Sequence, residues 1–317
     1  MASLRKIPNY LCGTIKQRHD WEKNRYILMK INVSTINSNY NGFNQIGRIF
    51  YETKDLLFHD IEIDLSSCCF FAANMTAPFY SVISRVRDNL NDISLENIPP
   101  EIKTILRKNH FLKIFNLSPI EDTNQTTLPF KIFKLNTSEQ FNDYLDTYMK
   151  GRGIPIMSDE LTKKFRQSLF EIFFNATLHS KSDNGVFVCG QFYPHKHQMD
   201  FTIADAGVGI RDNVRDFIKR RITSCKAIEW ALIDGNTTKS GDQPGGLGLK
   251  LIKEFIKKNK GKLQIISRFG YYEFTSIDES CFKMDYDFPG TVINIEINTN
   301  DTTHYYLKSE LASEDIF

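Results

Sequence analysis

Apolar and polar residues recur with two different periods along the chain, and together these periods predict an α/β protein. The run "DIEIDLSSCCFF" from Asp60 alternates and then becomes wholly apolar, which predicts a strand that enters a core. "APFYSVISRVRDNL" follows, with Phe79, Val82, Ile83 and Val86 at helical spacing. "DISLENI" and "YILMKINVS" predict strands, and "PPEIKTILRKNHFLKIF" predicts a helix that begins at its prolines. This order indicates a small α/β domain.

A break that contains glycine and proline, "GRGIP" at residues 151–155, divides the pattern. After it, "SDELTKKFRQSLFEIFFNATLHS" is the clearest predicted helix, with Ser158 as its N-cap. "GVFVCGQFY", "MDFTIAD", "KLQIIS", "YYEFTS" and "TVINIEI" predict strands, and "LGLKLIKEFIKKNKG" predicts a helix that ends at Gly261. Consecutive strands favour a partly antiparallel sheet covered by helices on one face.

The predicted organisation therefore has three parts. Residues 1–150 form a smaller α/β domain with a regulatory or docking role, residues 151–300 form an α/β sandwich, and residues 301–317 form a C-terminal tail. The length of 317 residues is sufficient for two ordinary domains.

Composition narrows the class of protein without identifying it. The chain is 41% hydrophobic and 25% charged, which is typical of a globular protein. Its net charge of +2 does not indicate the strongly basic surface of a nucleic-acid-binding protein. Six cysteines without a CxxC pair predict reduced thiols, several of them buried. No run approaches the roughly 20 apolar residues of a membrane span, and the N-terminus lacks the apolar stretch of a signal peptide. The sequence thus predicts a cytoplasmic protein without a membrane partner.

The predicted helix after the break carries a polar row beside its apolar stripe. Glu171, Asn175 and His179 are spaced four residues apart, so they lie near one another on the helix surface. A solvent-facing stripe is the simplest alternative interpretation.

A glycine-containing stretch follows one predicted strand. In "IADAGVGI", residues 203–210, the strand ends at Asp205, and Gly207 and Gly209 follow. Glycines permit a positive φ and a close approach of the backbone to a ligand, and a carboxylate accepts a hydrogen bond from an amino group. A plain turn is the alternative.

A second glycine-containing stretch, "QPGGLGLKLI" at residues 243–252, leads directly into a predicted helix. Free backbone N–H groups at a helix start form an anion site, although a flexible loop is the alternative. A long connection, residues 211–244, separates the two stretches and contains "GNTTKSGDQ".

Together and in this order, these elements resemble the GHKL superfamily of ATP-binding proteins. "EIFFNATLHS" is similar to the N box of that family, "DAGVGI" to its first glycine box and "GGLGL" to its second. "PGTVINIEI" resembles the closing strand, with Gly290 and Thr291 as the Gly-Thr pair. The resemblance covers residues 155–298, about half of the chain.

The resemblance implies a Bergerat-type α/β sandwich, ATP and Mg²⁺ as cofactors, and a role for each matching residue. Asp205 would accept a hydrogen bond from the adenine amino group with help from Thr291, Asn175 would ligate Mg²⁺, and Glu171 would be the general base. The residues implied around the rest of the nucleotide are Gly207, Gly209, His179, Thr237, Thr238, Lys239, Gly245, Gly246, Leu247, Gly248 and Leu249. Residues 211–244 would form the ATP lid, and Pro244 stands where the family's second box often begins with glycine.

Within the superfamily, the boxes are most similar to bacterial anti-sigma-factor-kinase-like proteins. "IEIDLSSCCFFAANMTAPFYSVISRV" weakly resembles a STAS-type domain, but Ala72-Ala73 stands where that family commonly has Asp-Ser. The resemblance therefore implies a docking or regulatory module rather than a substrate. His19, His59 and His110 lack the usual setting of a phosphoacceptor, which disfavours a sensor histidine kinase.

Two functions follow from the resemblance. The first is an enzyme that hydrolyses ATP or transfers its phosphate to a protein serine or threonine. The second is an ATP-gated interaction protein with little or no turnover. Both imply a protein partner and leave open a homodimer, because many relatives work as dimers.

Overall fold

The computed structural model describes residues 28–134, 137–149, 151–181, 183–233, 235–236 and 247–310. These residues form eight α-helices and eight strands in two sheets. The helices are α1 (Tyr40–Thr53), α2 (Thr76–Asp88), α3 (Pro100–Lys108), α4 (Ser138–Tyr148), α5 (Asp159–His179), α6 (Gly209–Ile218), α7 (Ser224–Leu232) and α8 (Leu247–Asn259). The strands are β1 (Leu28–Asn32), β2 (Asp60–Asp64), β3 (Asp92–Glu96), β4 (Thr127–Phe133), β5 (Val186–Tyr193), β6 (Gln198–Asp205), β7 (Lys262–Thr275) and β8 (Glu279–Asn298).

The smaller sheet is parallel, in the order β1-β2-β3, and α1 and α2 form its two crossover connections. Ile31, Ile61 and Ile63 point from it into a buried core that also holds residues of α1 and α2. Lys30 instead forms ion pairs with Glu62 (3.1 Å) and Asp64 (2.6 Å). The predicted strand–helix order of an α/β unit is confirmed.

The larger sheet is antiparallel, in the order β4-β5-β6-β8-β7. One face packs on α4, α5 and α8, with Phe141 stacked on Phe173 at a ring-centroid distance of 4.2 Å. The other face shares its core with α1 and α2, through residues such as Phe187 and Phe288. The predicted α/β class is therefore confirmed, and helices from the first part of the chain cover the second face of this sheet.

A buried polar network joins the start of α2 to this second face. The Asn74 amide donates to Asn294 Oδ1 (3.1 Å) and to Ser38 Oγ (3.0 Å), and the Thr202 hydroxyl donates to Asn294 Oδ1 (2.6 Å). Since buried polar groups are costly unless paired, these bonds favour one relative placement of the two parts.

Two elements of the larger sheet and its helical layer were not predicted. Strand β4 pairs with β5, and α4 packs beneath it, so this sheet begins at Thr127, before the break at residues 151–155.

At the other end of the chain, the backbone N–H of Ser158 donates to Tyr305 O (2.9 Å), so part of the predicted tail lies against the start of α5.

Two predicted elements have different bounds. The helix that begins at Pro100 ends at Lys108, because His110 adopts a left-handed backbone (φ 65°), and a short 3₁₀ helix, Phe111–Phe115, follows. "KLQIIS" and "YYEFTS" form one strand, β7, rather than two, because the pairing with β8 continues through register shifts between Ser267 and Gly270.

The prediction of six reduced thiols is wrong for two cysteines. Cys225 at the start of α7 and Cys281 in β8 form a disulfide, with their Cα atoms 5.7 Å apart. Cys68 and Cys189 are buried free thiols, and Cys69 is an exposed one. Cys12 lies outside the described residues. In the part of the chain that the structure describes, no helix has both the length and the hydrophobicity of a membrane span.

The predicted N-cap of α5 gives a first stability prediction. The Ser158 hydroxyl accepts a hydrogen bond from Leu161 N (3.1 Å), which satisfies one of the helix's free N–H groups. We expect Ser158→Ala to lower the free energy of unfolding by about 1 kcal/mol. Urea denaturation checks this, with Ser158→Asn as the control because asparagine is an equally good cap. Equal losses for both variants would contradict the capping role.

Candidate functional site

The candidate site lies where one end of the larger sheet meets helix α5. Along α5, Phe165, Leu169 and Phe173 are buried against the sheet at spacings of four residues. Glu171 and Asn175 lie beside this stripe and are half-buried. The apolar stripe therefore holds the helix on the sheet, and the polar row runs along its margin.

Asp205 is the last residue of β6 and is only 4% exposed. Its side chain points to the face of the sheet that α5 covers, as those of Phe201 and Ile203 do. Asp205 Oδ1 accepts a hydrogen bond from Gly207 N at 2.8 Å. Burial raises the pKa of this carboxyl to about 7, while hydrogen bonds from the backbone of Gly207 and Thr291 act in the opposite direction. Among the described residues, Asp205 has no cationic partner.

Strand β8 comes unusually close to Asp205 at a single glycine. Gly290 has a φ of +93°, and a Cβ placed on it would lie 2.1 Å from the Asp205 carbonyl oxygen and 2.8 Å from Oδ1. Only glycine therefore fits this position, and it brings the following residue, Thr291, to the carboxylate. The Ser267 hydroxyl donates to Gly290 O (3.0 Å) and lies 3.2 Å from Thr291 Oγ1, which fixes this corner of the sheet.

The stretch after Asp205 packs against the C-terminal end of α5. A Cβ on Gly207 would lie 2.0 Å from Ser180 O, and Val208 N donates to that same oxygen at 2.9 Å. Gly209 begins α6 with a φ of +80°, and Ile210 N donates to Ser267 Oγ at 2.8 Å. The first glycine stretch is thus a tight connection fastened to both α5 and β7.

The middle of α5 meets the start of α8. Glu171 Oε2 accepts a hydrogen bond from Gly248 N at 2.7 Å. A Cβ on Gly248 would lie 2.8 Å from the same oxygen and 3.1 Å from Ser168 O. Because the first N–H groups of a helix lack intrahelical partners, Glu171 satisfies one of them and places its charge at the positive end of α8.

Asn175 lies between these two contacts on α5. It is one helical turn, roughly 6 Å along the axis, from Glu171, and slightly more than one turn from Ser180. Its amide forms no hydrogen bond to any residue that the structure describes, and it is half-buried rather than fully exposed. A side-chain amide is therefore available at the midpoint of the row.

Most of the predicted site residues that the structure describes come together. Asp205, Gly207, Gly209 and Thr291 form one cluster, and Glu171 and Gly248 form a second, with α5 connecting them. Leu249 is partly buried against the core beneath the sheet. The predicted residues outside the described part of the chain are Thr237, Thr238, Lys239, Gly245 and Gly246; the side chains of His179 and Leu247 are likewise outside it.

Two contributors to the site were missed, and the expected lid contains regular structure. Ser180 and Ser267 fasten the glycine stretch, but a single serine at the end of a helix or within a strand gives no signal in the sequence. Residues 211–244, expected to form a lid, include most of α6 and all of α7.

Comparison of the chain with models of known protein families and with curated proteins gave no match. The geometry of the site comprises a buried carboxylate beside two tight glycine turns, and a helix start held by a second carboxylate.

Proposed function

We propose that this chain is a Mg²⁺-dependent ATP-binding protein of the GHKL type. The observation that carries the proposal is the cluster at Asp205. Two segments far apart in sequence form it: residues 205–209 supply a buried carboxylate and a glycine turn, and residues 290–291 supply a Gly-Thr pair. Gly207 and Gly290 cannot carry a side chain there without a clash. Such close backbone packing around one acceptor is the arrangement expected of a site that recognises a donor group.

The electrostatics of Asp205 fit an adenine amino group. A buried ionised carboxylate without a cationic partner is costly, as its raised pKa indicates. A ligand that donates a hydrogen bond to it would offset this cost. Thr291, beside it, would supply a hydroxyl that both donates and accepts hydrogen bonds.

The residues for Mg²⁺ and phosphate would come from α5 and α8. Mg²⁺ takes one or two protein oxygens when phosphates and waters complete its octahedron, and the Asn175 side-chain oxygen would be one of them. The ion would neutralise phosphate charge. The start of α8 would present backbone N–H groups to an anion, and Glu171 would orient this start through Gly248.

The reaction after binding has two candidates. In the first, Glu171 acts as general base, and ATP is hydrolysed or its phosphate is passed to a serine or threonine of a partner protein. In the second, nucleotide binding gates a protein contact without turnover. A carboxylate at this position favours the first, because the amide oxygen of a glutamine could accept the Gly248 N–H equally well and binding alone does not require a charge there.

A protein partner is part of both candidates. The parallel-sheet part, with its weak resemblance to a STAS-type domain, is the proposed docking or regulatory module.

The cytoplasm remains the proposed compartment, although disulfides such as Cys225–Cys281 are rare there.

Replacing Asp205 by asparagine tests the proposed nucleotide site. The amide oxygen of Asn would take the Gly207 N–H, so its NH₂ group would meet the adenine amino group, donor against donor. We expect Asp205→Asn to weaken ATP binding roughly 10- to 150-fold, the value of one hydrogen bond to a charged group. Isothermal titration calorimetry measures this loss.

Asp200 provides a matched control on the same strand. It is 1% exposed, and burial together with Glu296 raises its pKa to about 7 as well, but its side chain bonds Gln198 and Asn294. We expect Asp200→Asn to bind ATP like the wild type. Undiminished ATP binding by Asp205→Asn would rule out the assignment.

The raised pKa of Asp205 predicts opposite pH dependences for two nucleotides. Above about pH 7 the carboxylate accepts from the adenine amino group, and below it the protonated acid can donate to the 6-oxo group of inosine. From pH 6 to pH 8 we expect ATP affinity to rise and ITP affinity to fall, each by up to about tenfold. Phosphate ionisation affects both nucleotides alike, so parallel pH profiles would contradict the role of Asp205.

A further inference from the structure

A cleft of about 440 Å³ lies at the margin of the larger sheet, between the 3₁₀ helix Phe111–Phe115, strand β4 and helix α4. This volume is within the range of small-molecule sites. Six of its lining residues are His110, Lys113, Ile114, Phe130, Lys131 and Tyr148. None of them belongs to the clusters around Asp205 or Glu171.

Aromatic side chains line part of the cleft, and the hydroxyl of one of them is already hydrogen-bonded. Tyr144 is buried beneath it, and its hydroxyl donates to Pro129 O at 2.9 Å. The ring of Tyr148 lies 5.0 Å from that of Tyr144, and Phe130 packs edge-on against Phe111. These rings offer an apolar surface to a ligand.

The charge in the cleft has one sign. Of the described residues, Lys113 and Lys131 line it, and no carboxylate does. Neither lysine forms an ion pair with a residue in the described ranges, although Lys131 Nζ lies 4.9 Å from the centre of the Phe133 ring. Burial and the charge of Lys113 lower the pKa of His110, so this imidazole is neutral at pH 7 and adds a hydrogen-bonding group without a charge. Two lysines beside apolar side chains favour the binding of an anion that also carries an apolar group.

We propose that this cleft binds a small aromatic carboxylate. Its ring would lie against Tyr148 and Phe130, and its carboxylate would pair with Lys113 and Lys131. Since the cleft shares no residue with the nucleotide site, this proposal does not depend on the proposed function.

The test uses 2-naphthoate as the probe and calorimetry as the readout. We expect one site per chain, and at least tenfold weaker binding of 2-naphthalenemethanol, which has the same rings without the charge. We also expect Lys113→Gln/Lys131→Gln to weaken 2-naphthoate binding at least tenfold. The control Lys103→Gln/Lys257→Gln removes two lysines at exposed positions on α3 and α8 and should bind like the wild type. Circular dichroism verifies that each variant is folded.

Each alternative outcome overturns the proposal. If 2-naphthalenemethanol bound as tightly as 2-naphthoate, the charge would be irrelevant to binding. If acetate bound as tightly as 2-naphthoate, the aromatic rings would be irrelevant. Binding unaffected by the Lys113/Lys131 substitutions would place the probe elsewhere. Loss of 2-naphthoate binding in Asp205→Asn would assign the probe to the nucleotide site. If the chain failed to bind ATP at Asp205, we would still expect 2-naphthoate to bind in the cleft.

Discussion

Glu171→Gln is expected to bind Mg²⁺-ATP with wild-type affinity and to lose ATP turnover by about 10²–10⁴-fold, the usual contribution of a general base. The amide oxygen of glutamine can still accept the Gly248 N–H, so the start of α8 stays in place. What disappears is the ability to take a proton from water or from an acceptor hydroxyl. Steady-state phosphate release and titration calorimetry measure the two quantities separately.

Two further variants make this result interpretable. Glu160→Gln, an exposed carboxylate in the first turn of the same helix, should turn over ATP like the wild type. Glu171→Ala removes the Gly248 contact as well, so it should also weaken nucleotide binding. If wild type and Glu171→Gln bind ATP equally and neither releases phosphate, the binding-only function replaces the enzyme. Full turnover by Glu171→Gln would exclude Glu171 as the base.

Removing the Cys225–Cys281 disulfide is expected to lower the free energy of unfolding by about 4 kcal/mol. The bond closes a loop with a sequence separation of 56 residues, and this value is the chain entropy that such a loop restores to the unfolded state. Chemical denaturation of Cys225→Ser under non-reducing conditions measures the loss.

Cys69→Ser is the matched control because Cys69 is an exposed free thiol. It should leave the denaturation midpoint unchanged. Reduction of the wild type with dithiothreitol should reproduce the Cys225→Ser midpoint and should not shift that of the variant further. A wild-type midpoint that is insensitive to reduction would contradict a stabilising disulfide.

Much of the larger sheet and its main helix was predictable because local signals agree there. The N-cap at Ser158, the spacing of Phe165, Leu169 and Phe173, and the alternation in β5 and β6 each specify one element. The end of β6 at Asp205 and the turn at Gly207 were predictable for a related reason, since a carboxylate followed by glycines ends a strand in a recognisable way.

Contacts between distant segments were not predictable from local patterns. "TLPFKIF" is a short apolar run interrupted by Pro129, so its role as the edge strand β4 depends on pairing with β5. The packing of α1 on β8, where Asp285 N donates to Asn44 Oδ1, is likewise a tertiary feature. The spacing of Cys225 and Cys281 in the sequence gives no information about the 5.7 Å between their Cα atoms.

The most direct test of the nucleotide site is a crystal structure of the chain with a non-hydrolysable ATP analogue and Mg²⁺. We expect the adenine amino group within about 3.2 Å of the Asp205 carboxylate, the Asn175 oxygen on the metal, and the phosphates at the start of α8. Nucleotide bound elsewhere, or no bound nucleotide at saturating concentration, would contradict the proposal that Asp205, the glycine stretches and Thr291 form an ATP site.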